Sequence, residues 1–122
     1  MAVALLVSAP AFAHHSFAMF DQSKRVTLKG TVSSFQYTNP HSWIQMTVIG
    51  DKGDRQNWSI EMLSPNVLGR MGWKKNSLVP GQAVTAVIHP VKNGAYGGIL
   101  LTVTDDKTGQ PIGGPKAAGG LE

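Results

Sequence analysis

The sequence predicts an all-β protein with one short helix, built as a small five-stranded OB-like Greek-key barrel. Three observations predict it. Short runs of alternating apolar and polar residues are separated by turn signals along most of the chain. A single helical segment, bracketed by Ser64-Pro65 and Gly72, falls between the third and fourth of these runs. The first run is long and interrupted by Gly30, where a strand serving both sides of a barrel would bulge or bend.

In order, "RVTLKGTVSSFQYT" carries Val26, Leu28 and Val32 and makes the long first strand. "TNPH" is a turn, because Pro40 restricts Asn39 to extended geometry and asparagine favours local turn bonds. "SWIQMTVIG" sets Ile44, Met46 and Val48 against Trp43, Gln45 and Thr47, and "DKGD" turns the chain into "NWSIEML", with Trp58, Ile60 and Met62 on one face. Ser64 then caps a helix of about two turns in which Val67, Leu68 and Met71 are spaced for one face. After the Pro80-Gly81 turn come the strand "AVTAVIHPV", a glycine-containing loop "KNGAYGG" and the strand "ILLTVTD". A different five-stranded barrel or a half-open sandwich has the same alternation. Residues 108–122, rich in Gly, Pro and Ala, are expected to form a disordered tail, which leaves 14–107 as the single barrel domain.

A chain of 122 residues is long enough for one core and too short for two. It has no cysteine, so a disulfide framework and a thiolate metal cage are both excluded. The net charge of +4 is spread over scattered Lys and Arg residues rather than a nucleic-acid-binding stripe. The first thirteen residues, "MAVALLVSAPAFA", read as the second half of an export signal: an apolar stretch followed by the small-x-small motif Ala11-Phe12-Ala13. The basic segment that should open such a signal is missing, so the true start is expected upstream. The stretch is too short to span a membrane, which takes about 20 apolar residues. Removal of residues 1–13 leaves His14 as the first residue of an exported, periplasmic or secreted protein.

That terminus gives the four histidines a common role. In an OB-type barrel the loop after strand 1 and the loop after strand 4 flank one mouth, which brings His41 near His89. Ten extended residues ahead of strand 1 reach about 33–36 Å, far enough for the terminus to join them. A terminal histidine offers its α-amine and its ring to one ion, and imidazole-rich sets favour copper, with zinc second. The predicted metal ligands are therefore His14, His41 and His89, with His15 as substitute or fourth donor. Taken singly, His41 reads as a turn residue and His89 as a strand end packed on Tyr96; joint placement argues for the site.

His14 with one remote histidine resembles the histidine brace of copper proteins such as lytic polysaccharide monooxygenases and periplasmic copper-binding proteins. Over nearly the whole mature chain, "HHSFAMFD", "GTVSSFQYTNPHSWI", "SPNVLGRMGW" and "SLVPGQAVTAVIHPVKNGAYGG" resemble an uncharacterised family of small exported bacterial proteins. That resemblance implies export and no particular reaction.

Catalytic signatures are missing from the sequence: it has no Gly-x-Ser-x-Gly elbow, no phosphate-binding glycine loop opening a helix and no His-Glu-x-x-His. Glu61, Asp105 and Asp106 have no motif spacing. Phe35, Tyr37 and Trp43 read as barrel wall, or as stacking groups for bases or sugars. The expected function is periplasmic sequestration or delivery of a metal ion, in which a periplasmic protein partner would take part, with no nucleic acid and no membrane span. The alternative is a metal-free OB-type module that binds a small ligand, glycan or partner protein at the same mouth.

Overall fold

The computed structural model describes residues 17–114 and 117–121. After a short 3-10 turn at Phe17–Met19 come β1 (Val26–Gln36), β2 (Trp43–Ile49), β3 (Arg55–Glu61), α1 (Pro65–Arg70), β4 (Ala83–Pro90) and β5 (Gly97–Asp105). The strands close into a barrel in the order β1-β2-β3-β5-β4. All neighbouring pairs are antiparallel except β3 and β5, which run parallel over Ser59–Glu61 and Gly97–Ile99. The predicted fold class is the observed one, with one α-helix among the described residues, between β3 and β4.

Alternation explains which side chains fill the barrel. Ile44 and Met46 from β2, Ile60 from β3, Val84, Ala86 and Ile88 from β4, and Leu100 and Val103 from β5 point inward and are buried. Leu28 and Val32 complete the wall from β1. The Ser64 hydroxyl accepts from the Val67 amide (3.5 Å), and α1 adds Leu68 to the same cluster, followed by Trp73 and Leu78.

Gly30 acts differently from the expected bulge. It stays in register with Val84, and the shift in β1 pairing falls later, between Val32 and Ser34. A Cβ on Gly30 would collide with the Thr47 carbonyl, so the residue is glycine because β1 and β2 pass too closely there for any side chain. Gly98 has the same cause: a Cβ would lie 2.5 Å from the His89 carbonyl oxygen.

The C-terminal stretch, expected as a loose tail, is packed where it is described. The Ile112 amide donates to the Val103 carbonyl (2.9 Å), the Leu63 amide to the Ala118 carbonyl (2.8 Å), and the Gly119 amide to the Leu100 carbonyl (2.8 Å). Ala118 is buried. Small residues were misleading as a sign of disorder here: the glycines of this stretch lie close against Trp73, Met71 and Ile99, and Ile112 and Ala118 pack on the core cluster, so backbone bonds and small side chains anchor it together.

Candidate metal centre on the barrel flank

Strand register draws a line across the sheet. Trp43 pairs with Glu61, Glu61 with Ile99, and Ile99 with His89. Partners in register share a face, and the adjacent positions Ile44 and Ile60 point inward, so this row points outward. An outward row normally meets water. Here Glu61 is 3% exposed, and Ile99 and His89 are 1% exposed each.

Segments near both ends of the described chain supply the cover. On the β4 side, Phe20 bridges Val91, the Asp21 amide donates to the Pro90 carbonyl (2.8 Å), and the Lys92 amide to the Met19 carbonyl (2.9 Å). Phe20 is buried, and with Ile99 and Leu101 it stands apart from the interior cluster. On the β3 and β5 side, residues 117–119 cross the sheet so closely that a Cβ on Gly119 would collide with the Ile99 side chain.

Under this cover the His89 ring is fixed. Its Nδ1 lies 2.7 Å from the Lys24 carbonyl oxygen. A carbonyl only accepts, so Nδ1 carries the proton and the lone pair of the neutral ring sits on Nε2. That Nε2 is buried with no hydrogen-bond partner. His41 shares the first half of the pattern only: its Nδ1 lies 3.2 Å from the Met62 carbonyl oxygen, and the ring is half-buried. The His41 loop, which includes a cis Asn39-Pro40 peptide, is held by the Thr38 hydroxyl donating to the His41 carbonyl (3.1 Å).

The two rings are arranged differently from a pair of loop tips facing across a mouth. His89 belongs to β4, on the outer flank, and His41 folds over the end of β3, two strands along the sheet order. Glu61 lies between them, next in sequence to the residue whose carbonyl His41 contacts and two strands from His89, or about 10 Å between Cα atoms at ordinary strand spacing. Among the described residues no three His, Asp or Glu side chains come together closely enough to hold a metal ion by themselves. His14 and His15 lie outside the described residues.

Glu61 is the residue that sequence reasoning missed. In "NWSIEML" it alternates outward with Ser59, which makes it look like any solvent-facing carboxylate. Its burial arises from cover contributed by distant parts of the chain, and no local pattern encodes that.

Of the aromatic residues near the first loop, Phe35 and Tyr37 are wall, whereas Trp43 stands in the outward row. Phe35 packs on Tyr37 and Trp73 with ring centroids 5.7 and 5.9 Å apart, and the Tyr37 hydroxyl donates to the Pro65 carbonyl (2.9 Å). Tyr96 packs on Trp58, centroids 5.2 Å apart. A separate open groove along β1 and β2 is lined by Lys29, Thr31, Ser33, Thr47 and Arg55 and holds no histidine.

Fold and flank together define a small all-β barrel protein with imidazoles set outside its core. The chain belongs to the DUF6152 family, a family of unknown function, whose model matches residues 3–101. No curated protein and no solved structure matches it. No described helix is long and apolar enough to cross a membrane.

Proposed function

We propose that this protein is exported to the periplasm and there binds a metal ion, copper before zinc, for sequestration or delivery to a protein partner. The observation that carries the reading is the His89 ring: buried, oriented through Nδ1 by a backbone carbonyl, with an unpartnered lone pair on Nε2. A carbonyl on the far nitrogen is the support that metal-ligating imidazoles have, because it fixes the tautomer and makes the ligand more basic. Burying an acceptor without a partner costs about 1–3 kcal/mol, which an ion at that nitrogen would offset.

His14 supplies the second part of the reading. Five residues separate it from Phe20, which lies beside Val91, and with Phe17–Met19 in the 3-10 turn the reach from Phe20 is about 16 Å. Cleavage after Ala13 would free its amine to chelate with its ring, with His89 or His41 as the remote imidazole and His15 as substitute. An all-nitrogen set of this kind ranks Cu(II) above Zn(II).

The test is Cu(II) titration of protein whose first residue is confirmed as His14, followed by intact mass. One equivalent should bind, and His89→Ala should abolish stoichiometric uptake if His89 is the remote imidazole, whereas loss in His41→Ala alone would assign that role to His41. A chain that retains Ala13 should bind more weakly, because its amine no longer belongs to a histidine. Absence of uptake by the cleaved wild-type protein would overturn the reading and leave the metal-free binding module.

A further inference from the structure

We infer that the open groove over β1 and β2 is a second binding site, for a hydroxylated carboxylate of the acidic-sugar class held by Arg55. The groove encloses about 530 Å³, inside the range of about 300–1,000 Å³ that small-ligand sites occupy. It lies on the outside of the sheet. Thr31 pairs with Thr47 and Ile49 with Arg55, while the alternating neighbours Val32, Met46 and Val48 belong to the interior cluster or pack on it. Thr31 and Thr47 are short, and the long Lys29 and Arg55 come from the strands on either side of β2, so the surface is a trough.

Charge selects the class of ligand. No carboxylate lines the groove. Asp54, next to Arg55 in sequence, instead accepts from the Gln56 amide (3.1 Å), and Arg55 has no ion-pair partner among the described residues. Lys29 is shared: its ammonium lies 3.8 Å from the Asp106 carboxylate, which also accepts from the Thr85 hydroxyl (2.7 Å). One free guanidinium and one shared ammonium match a single negative charge better than a phosphate dianion. The planar fork of arginine fits a carboxylate with two parallel hydrogen bonds.

The neutral groups select the rest. The Thr31 and Thr47 hydroxyls have no hydrogen-bond partner among the described residues and are free for ligand hydroxyls, whereas the Ser33 hydroxyl is committed to the Gln45 carbonyl (3.0 Å). Ile49, opposite Arg55 and 64% exposed, offers apolar surface for the C–H face of a sugar ring. An ordinary solvated sheet face also carries Thr, Lys and Arg. What sets this one apart is a cation without an acid beside a bare isoleucine.

Titration of the metal-free protein with digalacturonate, read by amide chemical shifts in NMR, tests the assignment. Saturable shifts should gather at Thr31, Thr47, Ile49 and Arg55. Arg55→Gln changes an exposed side chain and should weaken binding by about tenfold or more, the effect of losing a charged hydrogen bond. Thr47→Val, of equal size, should weaken it about 2–10-fold. The uncharged dimethyl ester should bind the wild-type protein no better than the acid binds Arg55→Gln, and acetate, which has the charge without the hydroxyls, should bind more weakly than digalacturonate. Absence of saturable shifts in the wild-type protein, shifts centred away from the groove, equal affinity for acid and ester, or acetate binding as tightly as the sugar would each overturn the inference. The groove shares no residue with the histidine flank, so these outcomes leave the metal-binding reading where it stands.

Discussion

The inside of the barrel and its covered flank are both hidden from water, yet they are built from opposite materials. Inside, Ile44, Met46, Ile60, Val84, Ile88 and Leu100 meet one another, and their burial stabilises the fold directly. On the flank, the row that runs from Glu61 through Ile99 to His89 buries a carboxylate and an imidazole. Orphaned atoms occur in both places, but the Ser42 hydroxyl and the Trp73 Nε1 have no metal-binding lone pair comparable to that of His89 Nε2. Burial on the inside explains itself. On the flank, Phe20, Ile99 and Leu101 are buried to the fold's advantage, but burial of the unpartnered His89 Nε2 works against stability and asks for a function.

The contrast is broken most directly by paired substitutions in the apoprotein. Ile44→Ala or Ile60→Ala removes a fully buried inward side chain and should cost about 2–5 kcal/mol in urea denaturation. His89→Leu, of similar size, loses the bond to the Lys24 carbonyl and also the desolvated Nε2, so the two effects should nearly cancel, to within about 1 kcal/mol. Copper uptake should be lost in His89→Leu and kept by whatever fraction of Ile44→Ala stays folded. If His89→Leu proves as destabilising as Ile44→Ala, the flank is a second structural core and the functional argument from its polarity falls.

A smaller effect separates the walls of the two regions. Gly30→Ala drives a methyl group into the Thr47 carbonyl, a backbone atom that cannot rotate away, and should cost about 1–3 kcal/mol. Gly119→Ala meets the Ile99 side chain and lies 2.7 Å from the Leu100 carbonyl oxygen, but residues 117–121 are a short terminal stretch outside the strand ladder, so displacing them breaks fewer strand bonds than parting β1 from β2. Its stability loss should be the lesser of the two, and faster amide exchange at Leu63 and Gly119 should accompany it, because their bonds hold the cover down. Equal losses with unchanged exchange would show that the cover is as rigid as the barrel.

What the sequence disclosed follows the same division. Strand faces were legible because alternation is a local property: Ile44 and Met46, or Val84 and Ala86, announce an inward face whatever lies across from them. Ser64-Pro65 announced α1 through capping chemistry that needs no tertiary partner. Gly30 was legible as an exception, although its cause is a neighbouring backbone and so could not be read locally. His41 and His89 were legible as residue types with a topological address, but their spread over three strands, their Nδ1 bonds and the intervening Glu61 depend on register. The packed C-terminal stretch was illegible because its backbone bonds and the burial of Ala118 and Ile112 are made with distant strands, which local composition does not encode.

The smallest expected effect is also on the flank. The turn that presents the Lys24 carbonyl to His89 is held by Asp21, whose carboxylate accepts from the Ser23 hydroxyl (2.6 Å) and amide (3.1 Å) and lies 3.7 Å from the Lys24 ammonium. The Ser23 hydroxyl bond is the main cause holding the Asp21 carboxyl below its ordinary range, with weaker help from the Ser23 amide and the Lys24 charge against partial desolvation. Asp105 is lowered in the same direction, chiefly by the Thr108 hydroxyl, at a turn away from the histidines. A depressed folded-state value means that each carboxylate favours the folded turn above the unfolded carboxyl's pKa, and that this contribution fades as pH falls through the lower folded value. Acidification below the ordinary carboxylate range should therefore speed amide exchange at Ser23 and Lys24 while Val32 and Ile60, in the wall of the interior, stay protected. Asp21→Asn should remove that pH dependence at Ser23 and Lys24 and leave the response at Lys107 and Gln110, beside Asp105, as it was. If Ser23 and Lys24 exchange at one rate across this range in the wild-type protein, Asp21 does not hold the turn, and the orientation of the His89 ring must be secured by the bridge between Phe20 and Val91 instead.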